Sequence, residues 1–237
     1  MEDAHQAIPH LDGDPSMSFF AVYDGHGGRG TVDYVASRLD ESLAAELRVE
    51  DDSSIEERII RAYTITDIGS RETAAITSGA TAVTCLIKAE HGEVTLYAAN
   101  VGDSRAVLCR GGKAYRLTYD HKAEDKAEQE RVEAAGGFVM RNRVLGILAV
   151  SRSFGNQGMK EFVTAEPHVS ETSIDFKCEF VILACDGVWD VLSDEEAVSF
   201  VKEAVVNTPE EDVARILVDE ALRRGSTDNI TVVMVFF

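Results

Sequence analysis

Apolar positions along the chain alternate between short unbroken runs that stop at glycine and longer stretches in which they recur every three or four residues. The first run, Phe19-Phe20-Ala21-Val22-Tyr23, ends on Asp24 and breaks into Gly25-His26-Gly27-Gly28. A run of this kind, rich in aromatic and β-branched residues, predicts a buried strand. Residues 29–48 then place Val32, Val35, Ala36, Leu39, Leu43 and Leu47 on one helical face. Residues 53–72 repeat the pattern through Ile55, Ile59, Ile60 and Tyr63 behind a Ser54 cap. Four strand-like segments follow between 79 and 118, separated by Glu90-His91-Gly92, Gly102-Asp103 and Gly111-Gly112. Breaks that tight predict an antiparallel meander, not a parallel sheet.

Residues 124–135 read as a charged surface helix closed by Gly136-Gly137. Between about 137 and 170 the periodicity weakens, which predicts an irregular insertion over one end of the sheets. Residues 180–185 are again a buried strand, ending on Asp186-Gly187. Helices are predicted at 193–206, with Ser193 as cap and acidic residues in its first turn, and at 209–224, opening on Pro209. A last strand, 229–237, follows Ser226-Thr227-Asp228. No repeat, low-complexity tract or linker divides the chain, so residues 1–237 are read as one α+β domain.

Composition narrows the partners. A net charge of −19 repels nucleic acid and anionic membrane surfaces, and suits a cleft that concentrates divalent cations. No apolar stretch has the roughly 18 residues of a membrane span, and no signal peptide is visible. Cys85, Cys109, Cys178 and Cys185 lie in or beside apolar runs without CxxC spacing. They are expected to be buried, reduced thiols of an intracellular protein, cytoplasmic or nuclear.

Three carboxylates stand beside strongly apolar strands: Asp24 after 18–23, Asp186 after 180–185, and Asp228 before 229–237. If those strands lie side by side, the three converge on an all-oxygen site of the kind that Mg²⁺ and Mn²⁺ prefer. The competing reading is three unrelated turn aspartates, with Asp24 capping the helix that begins near Arg29. His26, two residues from Asp24, could donate a proton to a leaving group. Gly25-His26-Gly27-Gly28-Arg29-Gly30 also satisfies G-x-G-x-x-G. A dinucleotide site would need a parallel strand soon afterwards, and two acidic helices occupy that place instead.

Several motifs occur together in one order over nearly the whole chain. They are Met1-Glu2-Asp3, Asp24-Gly25-His26-Gly27-Gly28, Ser78-Gly79-Ala80-Thr81-Ala82 and Ala99-Asn100-Val101-Gly102-Asp103-Ser104-Arg105. Leu117-Thr118-Tyr119-Asp120-His121-Lys122, residues 148–155, residues 184–190 and Ser226-Thr227-Asp228-Asn229 continue the set. In this the chain resembles the type 2C protein phosphatases.

The resemblance implies a four-layer αββα sandwich, two antiparallel sheets flanked by helices, with two Mg²⁺ or Mn²⁺ ions at one end. By motif, Asp24 would bridge both ions, the Gly25 carbonyl would bind one, and Asp186 and Asp228 would complete the other. Glu2 and Asp3 would act partly through water, and Asp103 with Asp186 would serve a weaker third ion. The expected reaction is hydrolysis of phosphoserine and phosphothreonine on proteins by a water activated between the two metals, with His26 as general acid. The expected substrate partners are phosphorylated proteins, and the expected state is a monomer. No cysteine sits in a C-x₅-R phosphate loop. Residues 137–170 would be the family's variable flap.

Three departures accompany the match. The family's phosphate-binding arginine precedes its Glu-Asp pair, so the N-terminal strand is expected to be truncated here. Asn156 stands where aspartate is common, and Ala123 where proline is common. A binding module with the same fold and weak or no catalysis is the alternative function. A dinucleotide-dependent oxidoreductase is a third reading, already disfavoured by strand order.

Overall fold

The structure is a computed structural model that describes residues 1–72 and 75–237. One sheet has the order β1 (Ala4–Ile8), β2 (Met17–His26), β3 (Gly79–Glu90), β4 (Glu93–Val101) and β10 (His168–Ile174). The short β9 (Phe154–Gly155) also pairs with the start of β3. The second sheet has the order β12 (Val232–Phe236), β11 (Cys178–Ala184), β5 (Arg105–Arg110) and β6 (Lys113–Arg116). All pairings within both sheets are antiparallel.

Strand alternation assigns each side chain to one of three apolar layers. From β2, Phe19, Ala21 and Tyr23 pack against helices α1 (Gly30–Leu47) and α2 (Ile55–Ser70), while Val22 enters the space between the sheets. From β11, Val181 and Leu183 fill that space. Phe180 and Ile182 instead meet helices α5 (Asp194–Asn207) and α6 (Glu210–Arg223). Both faces of these strands are therefore covered. That is why the sequence shows unbroken apolar runs where a one-sided sheet would alternate. The result is the four-layer sandwich.

The caps at Ser54 and Ser193 form as expected. Each hydroxyl accepts the N3 amide in a capping box with Glu57 and Glu196. Helix α1 has no such cap, because the residue before it is Arg29. The buried Ser78 hydroxyl accepts the Thr31 amide instead, at 3.1 Å. Asp24 is thus not a helix cap. Strand β2 runs through it to His26, which pairs with Gly79.

Three points of the sequence analysis need correction. The four strands from 79 to 118 are not one meander, since β4 belongs to the first sheet and β5 to the second. At the crossing the buried Asn100 amide donates to the carbonyls of Gly102, Ser104 and Tyr119, so side-chain bonds replace a hairpin ladder. The edge strands β1 and β10 were not foreseen. Their half-exposed, largely polar faces carry no apolar run.

Helix α3 (Lys126–Ala134), capped by Asp125, is not wholly a surface helix. Glu128 is 3% exposed. It accepts from the Ser151 hydroxyl at 2.7 Å, Arg152 at 2.7 Å and Arg131 at 3.0 Å. This clamp holds α3 to the irregular segment, which contains the small hairpin β7 (Val139–Met140) and β8 (Arg143–Val144). Burial pushes the Glu128 carboxyl up, but the bonds from Arg152, Ser151 and Arg131 outweigh it and hold it at about 2. A carboxyl held low stabilises the fold above its unfolded pKa and loses that contribution as pH falls toward 2. Glu128→Gln should therefore cost roughly 3 kcal/mol at pH 7. Urea denaturation at pH 7 and pH 3 checks this: the gap from the parent protein should narrow at the lower pH.

Candidate active site

The antiparallel registers bring several strand ends to one end of the sandwich. Ala4 pairs with Tyr23, which carries Glu2-Asp3 alongside Asp24-Gly25. In the second sheet Ala184 pairs with both Arg105 and Val232. The segments just beyond those pairs are Asp186 at the start of α4 (Asp186–Trp189), Asp103 before β5, and Asp228 before β12. Asp228 lies in the loop ahead of β12, exposed, with its Oδ1 accepting the Asn229 amide at 2.7 Å.

The carboxylates feel one another. Burial first, then the charges of Asp186, Asp3, Asp103 and Asp228, push the Asp24 carboxyl far above the ordinary range. Burial, then Asp190 and Asp228, push Asp186 up as well. Asp103 rises to about 7 through burial and Asp186, against the pull of Lys122, whose Nζ is 3.9 Å away. Asp3 is 7% exposed and is raised mainly by burial, although the Thr231 hydroxyl donates to its Oδ2 at 2.6 Å. Five expected carboxylates therefore share one electrostatic neighbourhood, and Glu2 borders it through its charge effect on His26.

Among the described residues, no three His, Cys, Asp or Glu side chains are already arranged to enclose an ion. Mutual repulsion between such carboxylates opposes that arrangement. The donor set nevertheless fits hard divalent cations. Asp3 Oδ1 and Asp186 Oδ1 are buried without a hydrogen-bond partner, and the cluster is all oxygen. Gly25 adds a close backbone approach: a Cβ there would stand 2.5 Å from the Glu2 carbonyl oxygen.

His26 borders the cluster. Its imidazole is lowered by burial and partly restored by a hydrogen bond between Nε2 and Asn156 Oδ1, 2.8 Å apart. A cleft of about 290 Å³ opens beside the carboxylates, lined by Asp103, Asp186, Lys122, Asp190 and by Arg141 and Arg143 from the β7–β8 hairpin. The irregular segment thus walls the cluster. All four cysteines are buried and free, and burial holds the nearest thiol, Cys185, well above its ordinary range. A buried neutral thiol is a poor nucleophile.

Three site neighbours escaped the sequence reading. Lys122 and Asp190 form a pair 3.3 Å apart across the cleft, and Thr231 holds Asp3. Lys122 and Asp190 each sit in a motif already singled out, which was the available signal. Thr231 carried none.

The sequence matches the family described as protein phosphatase 2C over residues 1–230. The chain belongs to the protein phosphatase 2C family. It is 45% identical over 244 residues to the probable protein phosphatase 2C 71 of Arabidopsis thaliana, covering 100% of this chain and 52% of that protein. It is 42% identical over 241 residues to the protein phosphatase 2C homolog 1 of Schizosaccharomyces pombe, covering 99% and 68%. The chain therefore spans about half to two thirds of these relatives. Among solved structures, a C. elegans sex determining protein superposes with a TM-score of 0.88 at 30% identity, covering 99% of this chain and 61% of that one. A serine-threonine phosphatase 2C from Toxoplasma gondii shares the fold, with a TM-score of 0.80 at 24% identity and coverages of 100% and 90%. The phosphatase 2C fold accounts for the two antiparallel sheets and their flanking helices. No helix among the described residues is long and apolar enough to cross a membrane.

Proposed function

We propose that residues 1–237 form one metal-dependent catalytic domain that hydrolyses phosphoserine and phosphothreonine on protein substrates. The observation that carries this reading is the carboxylate cluster, with two buried unpartnered oxygens beside His26 at one end of a phosphatase 2C sandwich. Asp24, the Gly25 carbonyl, Asp186 and Asp228 would hold two Mg²⁺ or Mn²⁺ ions, Glu2 and Asp3 would support them through water, and Asp103 with Asp186 would hold a weaker third. When bound, such cations supply Lewis-acid charge for the phosphoryl oxygens and an activated water for attack on phosphorus.

The chain's own residues do the rest. Asp24 and Asp186 are both buried and both raised, Asp24 in part by the charge of Asp186, so a cation held between them would favour the ionised carboxylates. His26 delivers a proton to the departing serine or threonine oxygen. Lys122 keeps Asp103 and Asp190 from adding unbalanced charge to the cleft.

Incubating the purified chain with a phosphothreonine peptide tests the assignment. Phosphate release is expected with Mn²⁺ and should stop with EDTA. Release that ignores EDTA would overturn the metal assignment, and peptide binding without release would leave a binding module.

A further inference from the structure

Asn156 is 4% exposed and adopts a left-handed backbone, φ 49° and ψ 45°. Its side-chain orientation is decided by what surrounds it. The Thr77 carbonyl can only accept, so the Asn156 atom 3.2 Å from it must be the amide nitrogen. Oδ1 then faces the other way, accepting from the Ser153 hydroxyl at 2.6 Å and meeting His26 Nε2 at 2.8 Å. An amide oxygen has no proton to give. The proton between Asn156 and His26 therefore belongs to Nε2.

The surroundings are built to hold this contact. Gly79 lies opposite His26 in the β2–β3 ladder, and a Cβ there would sit 2.0 Å from Asn156 Oδ1 and 2.4 Å from His26 Nε2. The Asn156 amide donates to the Ser78 carbonyl at 2.7 Å. One residue earlier, the Gly155 amide donates to Asp67 Oδ1 at 2.8 Å, and Lys160 Nζ donates to the same oxygen at 2.9 Å and to the Ser153 carbonyl at 3.0 Å. The loop carrying Asn156 is thus tied both to β3 and, through a buried ion pair, to α2.

From this geometry we infer that Asn156 is a positioning residue for His26: it holds the ring by Nε2–H and leaves Nδ1 as the nitrogen that passes a proton to the leaving group. The inference rests on the general-acid reading of His26 given above. In that step the P–O bond to the serine or threonine breaks and its electron pair stays on the departing oxygen. That oxygen takes the proton from Nδ1. The Nε2 proton remains bonded to Asn156 Oδ1, and the neutral ring regains its second proton from solvent.

Asn156→Ala and Asn156→Asp, each assayed with Mn²⁺ on a phosphothreonine peptide and on p-nitrophenyl phosphate beside His26→Gln, test it. Asn156→Ala should lower kcat on the peptide roughly tenfold or more with KM little changed, because the ring loses its anchor. Its effect on p-nitrophenyl phosphate, whose phenolate leaves with little need of a proton, should be several times smaller. Asn156→Asp keeps the acceptor and should recover most of the peptide rate. The double variant His26→Gln/Asn156→Ala should be no slower than His26→Gln alone. Equal losses on both substrates for Asn156→Ala, with His26→Gln still discriminating between them, would overturn the positioning role alone. Equal losses for His26→Gln would overturn both readings. Should Asn156→Ala not fold, ¹⁵N spectra of the histidine ring in the Mg²⁺-loaded parent protein decide. The neutral ring should carry its proton on Nε2, and an Nδ1–H tautomer would overturn the inference.

Discussion

Asp186→Asn is expected to abolish Mn²⁺-dependent turnover and to remove most of the protein's affinity for Mn²⁺. The substitution keeps the side chain's shape and replaces an anionic oxygen donor by a neutral amide. In the structure Asp186 Oδ1 is buried with no hydrogen-bond partner, while burial and the charges of Asp190 and Asp228 push its carboxyl up. Beyond the pull of Lys122, an oxygen held that way gains most from a bound cation. Losing an outer partner of a metal ligand costs about 10–100-fold in affinity, so losing a ligand's charge should exceed roughly a hundredfold. Calorimetric titration with Mn²⁺ gives the affinity directly, apart from activity. The metal-free variant should melt no earlier than the metal-free parent, because one of the repelling carboxylates has gone. Parent-like Mn²⁺ binding by the variant would show that Asp186 is not a ligand.

His26→Gln is expected to slow hydrolysis of a phosphothreonine peptide by roughly 10²–10⁴-fold, the usual worth of a positioned general acid. The leaving group supplies the specific signature. A threonine alkoxide is a strong base and departs poorly unless protonated, whereas p-nitrophenolate is stable as an anion. The loss on p-nitrophenyl phosphate should accordingly be at least tenfold smaller. Mn²⁺ affinity should change little, since the imidazole is not among the proposed ligands. If both substrates slow by the same factor, the proton comes from another group and His26 serves only to shape the site.

Much of this molecule is legible in local sequence because burial imposes a period. The runs at 19–23 and 180–185 are unbroken since β2 and β11 are covered on both faces. The helical spacing of Val32, Val35, Leu39 and Leu43 marks the face that α1 turns toward the first sheet. The Ser54 and Ser193 capping boxes are written within four residues each, so they too could be read directly. Asp24 and Asp186 were legible as candidate ligands for a related reason: a carboxylate beside a buried apolar strand is costly there unless something offsets it.

Contacts between distant segments follow from the path of the chain, and no local period reports them. The Gly102-Asp103-Ser104 break looks like a hairpin until Asn100 is seen to bond both sides of it, which sends β5 to the other sheet and sets Asp103 near Asp186. Glu128 reads as one charge among many on a polar helix, yet Ser151 and Arg152, more than 20 residues later, turn it inward. Asn156 meets His26 across 130 residues. Sequence alone determined which segments are buried, because each strand or helix repeats its side-chain direction at a fixed interval. Which charges and hydrogen-bonding groups meet is set by the three-dimensional path, because those interactions act over a few ångströms and depend on where the folded chain returns.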